Sequence, residues 1–449
     1  MGKGKGLSSQ TDGAERLQPP STVLEIARKL IRAGHESWFV GGAVRDALLG
    51  HANLDWDLAT AATPPEVQRL FRRTVPVGID FGTVGVLDEE GVMHEVTTFR
   101  RDVQTDGRHA VVEFGASFDE DLARRDFTIN AIAYGPDTRE IHDPFHGRED
   151  LEQRLVRAVG VPADRMREDR LRALRAIRFA ARFGFAIEPD TWQAILDSAS
   201  HLGRLSMERV QQEIEKTMAQ VDRPGDAFRL WRDSGAFAVI APPLASLSDV
   251  ALATLDLLPR AKSAAPDETH HTVTRLAALV LDTQPSAARD LLRDLRFSNE
   301  RSRWIAELVE RWSQLSAALR ESLASGVVAT DATVRRWVAT IGRTRVDAFF
   351  ALVDARFRAE AAHASGRVPG SAVEALRERA AIIALRDPLE TGDLAIDGGD
   401  LMSAGIRAGP QLGAALRALL DWVIEDPSRN SHDQLLARAR EIAGEPSHG

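Results

Sequence analysis

The spacing of apolar side chains divides the chain into two parts. Over residues 21–150, β-rich runs such as Thr83–Leu87 and residues 94–99 alternate with helical segments. After about residue 151, apolar residues recur every three or four positions, and Ala, Leu, Arg and Glu dominate. The pattern therefore predicts an α/β domain followed by a long, almost entirely helical region.

A glycine turn follows the first predicted strand, Ser37–Val40. Gly41 and Gly42 lead directly into a short predicted helix over residues 43–49, which carries Arg45. A turn of this kind presents backbone N–H groups to a phosphate at the helix N-terminus. The guanidinium of Arg45 adds a cation of fixed geometry close by. A Gly-Gly pair by itself, however, is ordinarily only a turn.

Two carboxylates, Asp55 and Asp57, follow about a dozen residues later. Side chains two apart on an extended strand share a face, so both carboxylates can converge on Mg²⁺. A metal held there can activate a hydroxyl nucleophile and neutralise a departing pyrophosphate. Alone, such a pair is usually a solvated turn or a pair of helix caps, but its position after the glycine turn favours a nucleotide site. Glu95 is either a third carboxylate near the metal or a plain edge-strand glutamate.

A second dense motif, Arg-Arg-Asp-Phe-Thr-Ile-Asn-Ala, occupies residues 124–131. One interpretation is a helix start with a charged first turn. The functional interpretation directs Arg125 at a triphosphate, while Asp126 and Asn130 fix the ribose and the local backbone.

The third motif is Glu168-Asp169-Arg-Leu-Arg172, continued by Arg175 and Arg178. Residues three apart are neighbours on a helix, so Asp169 and Arg172 are expected side by side, at the least as a salt bridge. A carboxylate accepts from the exocyclic amine of cytosine or adenine, and a guanidinium donates to ring acceptors. The two side chains can thus imitate a pairing partner for C and A. Three-residue steps drift around a helix, which directs Arg178 away from the others.

Together these motifs resemble the nucleotidyltransferase superfamily that includes DNA polymerase β. More closely, they resemble the class II tRNA nucleotidyltransferases (CCA-adding enzymes) and the related bacterial poly(A) polymerases. The resemblance covers residues 23–213, returns at residues 398–430, and implies a polymerase-β-like α/β head followed by an all-α neck, body and tail. It assigns Asp55 and Asp57 to catalysis and Mg²⁺, and it assigns the nucleotide to Gly42, Arg45, Arg125, Asp126, Asn130, Asp169, Arg172, Arg175 and Arg178. Residues 206–213 resemble a family motif that braces the base-reading helix.

The activity implied by the resemblance is addition of C and A to the 3′ end of tRNA from CTP and ATP. Residues 100–109 resemble a flexible loop that favours full CCA or A addition, and residues 78–84 end in the Gly-Thr-Val of CCA-type enzymes. The alternatives are an A-only adding enzyme, a poly(A) polymerase, or a non-catalytic RNA-binding protein.

Glycine- and proline-rich breaks, together with the resemblance, predict five segments. They are a disordered leader (1–20), a nucleotidyltransferase head (21–150), a base-reading helical neck (151–222), a helical body (223–385) and a tRNA-binding helical tail (386–449). The body contains His270-His271 and Leu281-Asp282, which resemble an HD phosphohydrolase module whose metal-binding doublet is degenerate. We expect a structural helical segment there.

Composition limits the remaining choices. The 449 residues include no cysteine, which excludes disulfides and thiolate chemistry and fits a reducing, cytoplasmic location. No apolar run is long enough to predict a membrane span. A net charge of −9 requires that any contact with RNA come from local basic patches.

Overall fold

The computed structural model describes residues 15–52, 55–105, 110–259, 267–325, 327–363 and 370–444. The strands there are β1 (Ser37–Val40), β2 (Asp57–Thr60), β3 (Thr74–Gly78), β4 (Thr83–Leu87), β5 (Met93–Thr98), β6 (Arg100–Thr105), β7 (Ala110–Phe114), β8 (Ala133–Tyr134), β9 (Ile141–His142), β10 (Leu155–Val156) and β11 (Ala186–Ile187). The α-helices through the first half are α1 (Ser21–Arg32), α2 (Gly42–Leu48), α3 (Pro64–Leu70), α4 (Phe118–Ala123), α5 (Gly147–Gln153), α6 (Pro162–Glu168), α7 (Leu171–Phe183), α8 (Pro189–Ser198), α9 (Met207–Gln220), α10 (Pro224–Asp233) and α11 (Ala236–Ile240). The later helices are α12 (Asp249–Leu257), α13 (Asp267–Leu279), α14 (Pro285–Asp294), α15 (Asn299–Ser325), α16 (Asp331–Ile341), α17 (Val346–His363), α18 (Gly370–Arg386), α19 (Gly398–Ser403), α20 (Pro410–Glu425) and α21 (His432–Gly444).

Seven strands form one mixed sheet in the order β3-β4-β5-β2-β1-β8-β9. Its neighbouring strands are antiparallel except for β2 and β5, which run parallel. The predicted strands at Ser37–Val40 and Thr83–Leu87 are confirmed, and the one predicted at residues 94–99 begins and ends one residue earlier. The α/β head followed by helices is therefore the architecture that the apolar pattern and the resemblance predicted.

The face of the sheet that carries Asp57 packs against α4. Asp57 and Ala59 lie two residues apart on β2 and therefore share a face. Ala59 lies in a buried cluster with Val40 of β1 and with Phe118 and Leu122 of α4. Because α4 ends at Ala123, the arginines that follow it are delivered to the same face as Asp57.

Three local features differ from the sequence prediction. Residues Arg100–Thr105, expected as part of a loop, form a strand that pairs with Ala110–Phe114, whereas residues 106–109 lie outside the described part. The region after residue 151 contains the short parallel pair β10–β11 among its helices. Thr128–Asn130 is a single 3₁₀ turn and not the start of a helix.

The described contacts divide the chain into two compact units. One unit contains the residues up to Thr217 together with Leu230–Ala245, and the other contains Met218–Arg229 and the residues from Ser246 onward. The first holds the sheet and every residue that the sequence assigned to catalysis or the nucleotide. The boundaries predicted at residues 150, 222 and 385 stay predictions, and residues 1–14 of the predicted leader lie outside the described part.

The second unit contains a buried arginine that bonds to backbone carbonyls. The guanidinium of Arg275 donates to the backbone carbonyls of Met218, Val221, Asp222 and Leu258, at 2.6 to 3.1 Å, so one side chain satisfies carbonyl groups where α9 ends. In the described part of the chain, we find no helix whose length and apolar character would let it cross a bilayer.

The HD-like segment of this unit uses its aspartate in an ion pair. Leu281 is buried, and Asp282 pairs with Arg356 of α17 at 3.0 Å. The side chain of His270 lies outside the described part. These contacts support the structural role expected for the segment, and its lack of phosphohydrolase activity stays a prediction.

Candidate active site

Three carboxylates gather where β2 begins. Asp57 is the first residue of β2, and the parallel register that pairs Leu58 with Val96 places it beside Glu95 on β5. Asp55 is exposed two residues before Asp57. Burial, reinforced by the negative charges of Glu95 and Asp55, raises the pKa of Asp57 from its ordinary 3.8 to about 7. The cluster therefore carries negative charge that its surroundings do not fully compensate.

The strand position of Glu95 decides between its two interpretations. β5 lies between β4 and β2, so Glu95 is on an interior strand, and the edge-strand interpretation is wrong. Within the described residues, no group of three acidic or histidine side chains stands close enough to hold a metal ion as arranged. Asp57 and its two acidic neighbours thus interact electrostatically without forming a closed coordination shell.

The glycine turn brings an arginine close to this cluster. Gly41 has φ +75°, a conformation that favours glycine, and a Cβ on it would lie 3.1 Å from Nη1 of Arg125. Gly42 begins α2, where a Cβ would lie 3.6 Å from Nη2 of Arg45. The bare backbone of the turn therefore lets Arg125 approach it closely.

Arg125 is held between a buried acid and the carboxylate cluster. Its Nη2 donates to Asp121 at 3.3 Å, and its Nη1 donates to the backbone carbonyl of Asn130 at 3.3 Å. Its charge also opposes part of the rise in the pKa of Asp57. Nε of Arg125 is buried without a hydrogen-bond partner in the protein. A guanidinium with an unused donor beside a glycine turn suits an anionic oxygen.

Arg45 lies in the interior of the first unit. Its side chain is only 4% exposed, its Nε donates to Asp46 at 2.7 Å, and its Nη1 donates to Asn130 Oδ1. The guanidinium carbon also stands over the rings of Phe179 and Phe183, 5.1 and 4.8 Å from their centroids. The sequence predicted that Arg45 holds the triphosphate beside Gly42, whereas in the structure its Nε and Nη1 are already bound by Asp46 and Asn130. A contact of Arg45 with the triphosphate stays a prediction.

Asp126 and Asn130 are also internal. Asn130 Nδ2 donates to Asp126 Oδ1 at 2.9 Å, and Arg175 donates to Asp126 Oδ2 through Nε and Nη2, at 2.9 and 2.7 Å. Burial opposes ionisation, but the charge of Arg175 and the bonds from Asn130 and Arg175 outweigh it and lower the pKa of Asp126 to about 2. Asp126 also accepts from the backbone N–H of Phe127. The pair fixes local backbone, as predicted, and a ribose contact stays a prediction.

The salt bridge expected between Asp169 and Arg172 is not formed. Asp169 lies between α6 and α7, where its Oδ1 accepts from the backbone N–H of Leu171 and its Oδ2 accepts from Arg209 at 2.7 Å. Arg172, in the first turn of α7, pairs instead with Glu168 at 2.6 Å. Each candidate base reader therefore has its own positioning partner.

Arg172 is held by two further contacts. Its Nη1 donates to the backbone carbonyl of Arg165 at 3.0 Å, and its Nη2 donates to the backbone carbonyl of Arg124 at 2.8 Å. The second contact joins α7 to the Arg-Arg motif at residues 124 and 125. Helix α7 and the arginine beside the glycine turn are therefore parts of one hydrogen-bonded structure.

Arg178 pairs with a residue of α9. Its Nε donates to Glu213 at 2.7 Å, and both side chains are buried. Together with the bond from Arg209 to Asp169, this contact shows α9 bracing α7 and the turn that precedes it, which agrees with the supporting role predicted for residues 206–213. Arg178 belongs to that brace.

Two residues at the centre of these contacts were missed from the sequence. Asp121 is 1% exposed and pairs with both Arg124 and Arg125. Its spacing of three and four residues before those arginines was a readable signal. Phe179 lies beneath the guanidinium groups of Arg45, Arg175 and Arg178; an apolar residue in a helix gives no such signal.

The sheet and the arrangement on it define a nucleotidyltransferase-type head joined to helices, and comparison with known proteins agrees. The family model described as the poly A polymerase head domain matches residues 37–157. A second model, described as the probable RNA and SrmB-binding site of polymerase A, matches residues 184–247.

Relatives identify the family more narrowly. A CCA-adding enzyme of Geobacillus kaustophilus is 46% identical over 233 residues, which is 51% of this chain and 57% of that protein. The CCA-adding enzyme of Lactiplantibacillus plantarum is 35% identical over 94% of this chain and 96% of its own length. The crystal structure of the Bacillus stearothermophilus CCA-adding enzyme in complex with CTP matches with a TM-score of 0.73 at 31% identity, covering 95% of this chain and 98% of the other. This chain belongs to the family of CCA-adding enzymes.

Proposed function

We propose that this protein adds C and A nucleotides to the 3′ end of tRNA, using CTP and ATP and releasing pyrophosphate. The observation that carries the proposal is the single hydrogen-bonded structure that contains Arg125, beside the acidic cluster, and Arg172, at the start of α7. Relatives that align along nearly the whole chain are named CCA-adding enzymes, and one was solved with CTP. The proposed place of action is the cytoplasm.

The triphosphate would be held at the glycine turn. Arg125 offers the unused Nε–H described above and lies against Gly41, whose lack of a side chain gives an anion access to the backbone. Gly42 opens α2 next to it. Arg45 would contribute indirectly, because it fixes Asn130, whose backbone carbonyl in turn receives Arg125.

The base would be read by Asp169 and Arg172. A carboxylate accepts from the amino group that C and A carry at the pairing edge, and a guanidinium donates to their ring nitrogen or carbonyl. U and G present a donor where Arg172 also donates, which leaves polar groups unpaired and is costly. Arg209 already holds Asp169, and Glu168 already holds Arg172. These two side chains therefore lose little conformational freedom when the nucleotide binds.

The carboxylate cluster fits a divalent cation, which we propose to be Mg²⁺ bound by Asp55 and Asp57 with Glu95 as a third carboxylate. The pKa of Asp57, raised by burial and by its acidic neighbours, is the property expected of a site that lacks its positive partner. When bound, such a cation would favour ionisation of the attacking hydroxyl and neutralise charge on the phosphates.

The chemistry requires no protein nucleophile. The 3′ hydroxyl of the RNA attacks the α-phosphorus in line, the new O–P bond forms, and the bond to pyrophosphate breaks. Positioning and charge neutralisation supply most of the catalysis in such transfers. Arg125 holds the triphosphate and the base readers set the rotation of the nucleotide, so the protein fixes both ends of the incoming substrate.

The test uses tRNA transcripts that end at the discriminator base, at C, or at CC, with labelled CTP and ATP. We expect the wild-type protein to complete CCA on all three, and Asp55→Ala and Asp57→Ala to abolish incorporation. Asp137→Asn, which removes an exposed partner of Arg28 in the same unit, is the control and should retain activity. Incorporation of A alone would indicate an A-adding enzyme, long A tails would indicate a poly(A) polymerase, and no incorporation by the wild type would refute the proposal.

A further inference from the structure

We propose that Asp121 is a positioning residue for nucleotide selection, acting through Arg125 at the triphosphate and through Arg124 on Arg172 at the base. This inference rests on the function proposed above. Asp121 lies on α4, which packs against the catalytic face of the sheet, and it touches neither the proposed metal ligands nor the proposed base readers directly. Its influence is therefore exerted through its partners.

The carboxylate of Asp121 serves two adjacent arginines at once. Oδ1 accepts from Nε and Nη2 of Arg124, at 3.0 and 2.7 Å, and Oδ2 accepts from Nη2 of Arg125 at 3.3 Å. The side chain of Asp121 is only 2% exposed, whereas those of the two arginines are 18% and 19% exposed. A buried carboxylate that divides its oxygens between two guanidinium groups fixes the relative orientation of both.

The Arg124 branch leads to the base reader. With its side chain anchored on Asp121, Arg124 presents its backbone carbonyl to Nη2 of Arg172 at 2.8 Å. The preceding carbonyl, that of Ala123, accepts from Arg165 at 3.0 Å. Two successive carbonyls at the end of α4 thus receive arginines from the helices around the base-reading motif. A shift of Arg124 displaces the acceptor that orients Arg172.

The Arg125 branch leads to the triphosphate and the acidic cluster. Arg125 lies against the glycine turn, where its Nη1 is 3.1 Å from the position that a Cβ would take on Gly41. Without the charge of Asp121, the acidic cluster is the main remaining attraction for this guanidinium. We expect it to turn toward Asp57 and away from the position that an incoming phosphate would use.

A third contact joins Asp121 to the start of the β6–β7 hairpin. The backbone N–H of Arg100 donates to Asp121 Oδ1 at 3.4 Å, and the backbone carbonyl of Arg100 accepts from Nε of Arg124 at 3.1 Å. The first residue of β6 is therefore bound to the same carboxylate that positions the two arginines. One buried charge connects the root of the hairpin, the phosphate arginine and the base-reading arginine.

Asp121→Asn tests this role because an amide keeps the size of the side chain but has one acceptor oxygen and no charge. The control is Asp150→Asn. Asp150 is also buried, and it accepts from Thr128 at 2.6 Å and from Arg157 at 3.2 Å. Its replacement therefore removes a comparable buried carboxylate from the same unit. The full-length variants are assayed on tRNA ending at the discriminator base, for kcat and KM with CTP, for misincorporation of UTP, and for Tm.

We expect Asp121→Asn to reduce the preference for CTP over UTP by at least about tenfold and to raise the KM for CTP, since displacements near 1 Å cost about a hundredfold in rate. Asp150→Asn should lower Tm to a similar extent with its preference unchanged. In an Arg172→Ala background, Asp121→Asn should cause little further loss of preference, because the effect on the base passes through Arg172.

An Asp121→Asn protein with a lowered Tm but an unchanged CTP/UTP preference and KM would overturn the inference. If that variant does not fold, Arg124→Met decides, because it keeps Asp121 paired with Arg125 while it removes the anchor of the Arg124 backbone. We then expect lost preference with a nearly unchanged KM, and a retained preference would refute the role. Failure of the wild type to incorporate either nucleotide would instead refute the proposed function.

Discussion

Arg178 and Glu213 form an ion pair in the interior of the first unit, with 2.7 Å between Nε and Oε2 and side chains 4% and 2% exposed. The pair joins α7, the helix of the base-reading motif, to α9. Burying two charges is expensive, so the pair itself contributes little to stability, but the loss of one partner leaves the other charge uncompensated. Both helices therefore depend on the two residues being present together.

Replacement of Glu213 by Gln is expected to destabilise the first unit by about 3 kcal/mol, because Arg178 would stay buried without its counter-charge. Asp137→Asn, which breaks the exposed Arg28 pair, should cost less than about 1 kcal/mol. Thermal unfolding of the two variants beside the wild type measures both effects. Equal Tm values for Glu213→Gln and Asp137→Asn would contradict the dependence of α7 on this pair.

Acid should remove the stabilisation that Asp126 provides. Its pKa in the folded protein, about 2, lies below the ordinary 3.8, so its contribution is present above about pH 4 and is lost as the pH falls toward 2. The shift corresponds to about 2 kcal/mol. Urea unfolding from pH 6 to pH 2.5 should show the advantage of wild type over Asp126→Asn shrinking by about that amount. A difference that stays constant with pH would show that the carboxylate is not ionised against Arg175.

Asp57 should behave in the opposite way. Its raised pKa of about 7 means that the folded protein, without metal, is destabilised above about pH 4 and fully so above pH 7. Asp57→Asn should therefore stabilise the protein in EDTA at pH 8 by about 2–4 kcal/mol, and the gain should vanish near pH 4.

Added Mg²⁺ should make the wild type more stable than Asp57→Asn, since a ligand that binds only the folded state stabilises it. At pH 8 the Tm of the wild type should rise with Mg²⁺ concentration, while that of Asp57→Asn should respond much less. Asp137→Asn should follow the wild type. If the Tm of all three proteins responded identically to Mg²⁺, Asp57 would not be a ligand of the metal.

Arg209 is expected to affect which base is added more than how tightly the triphosphate binds, because it holds Asp169 and lies on the brace helix α9. Arg209→Gln should lower the CTP/UTP preference by about tenfold, the equivalent of one lost charge-assisted hydrogen bond. Arg167→Gln removes an exposed arginine that pairs with exposed Asp164 and serves as control. Competition between CTP and UTP on one tRNA measures the preference of both variants. An unaltered preference in Arg209→Gln would show that this contact of α9 does not influence base selection.

The parts of the site that the sequence predicted are those set by local geometry. The strand Ser37–Val40 and the glycine turn follow from residues within a short stretch. The brace at residues 206–213 was predicted from its motif. In each case the pattern itself contains the information that the structure uses. The strand expected to carry both carboxylates begins only at Asp57, so Asp55 precedes β2 and the expectation that alternation places both on one strand face is wrong.

The contacts that the sequence did not predict involve partners that are distant in sequence. Nothing near Arg45 shows that Asn130, 85 residues away, accepts from it in the interior. Likewise, residues 168–172 contain no proline or glycine, so an unbroken helix was the natural expectation, whereas Asp169 turns away to meet Arg209, 40 residues later. Tertiary contacts decided the backbone at that point, and local propensity did not.

The hydrogen bonds that run from Arg45 through Asn130 and Asp126 to Arg175 tie the segment after the glycine turn to α7. Because each link is charge-assisted and the links at Asn130 are buried, this portion would translate as a rigid block while nucleotides enter and leave. Any enlargement of the pocket between successive additions would then fall on chain segments outside the block. Efforts to broaden substrate choice by engineering would accordingly do better to alter those segments than to loosen the block.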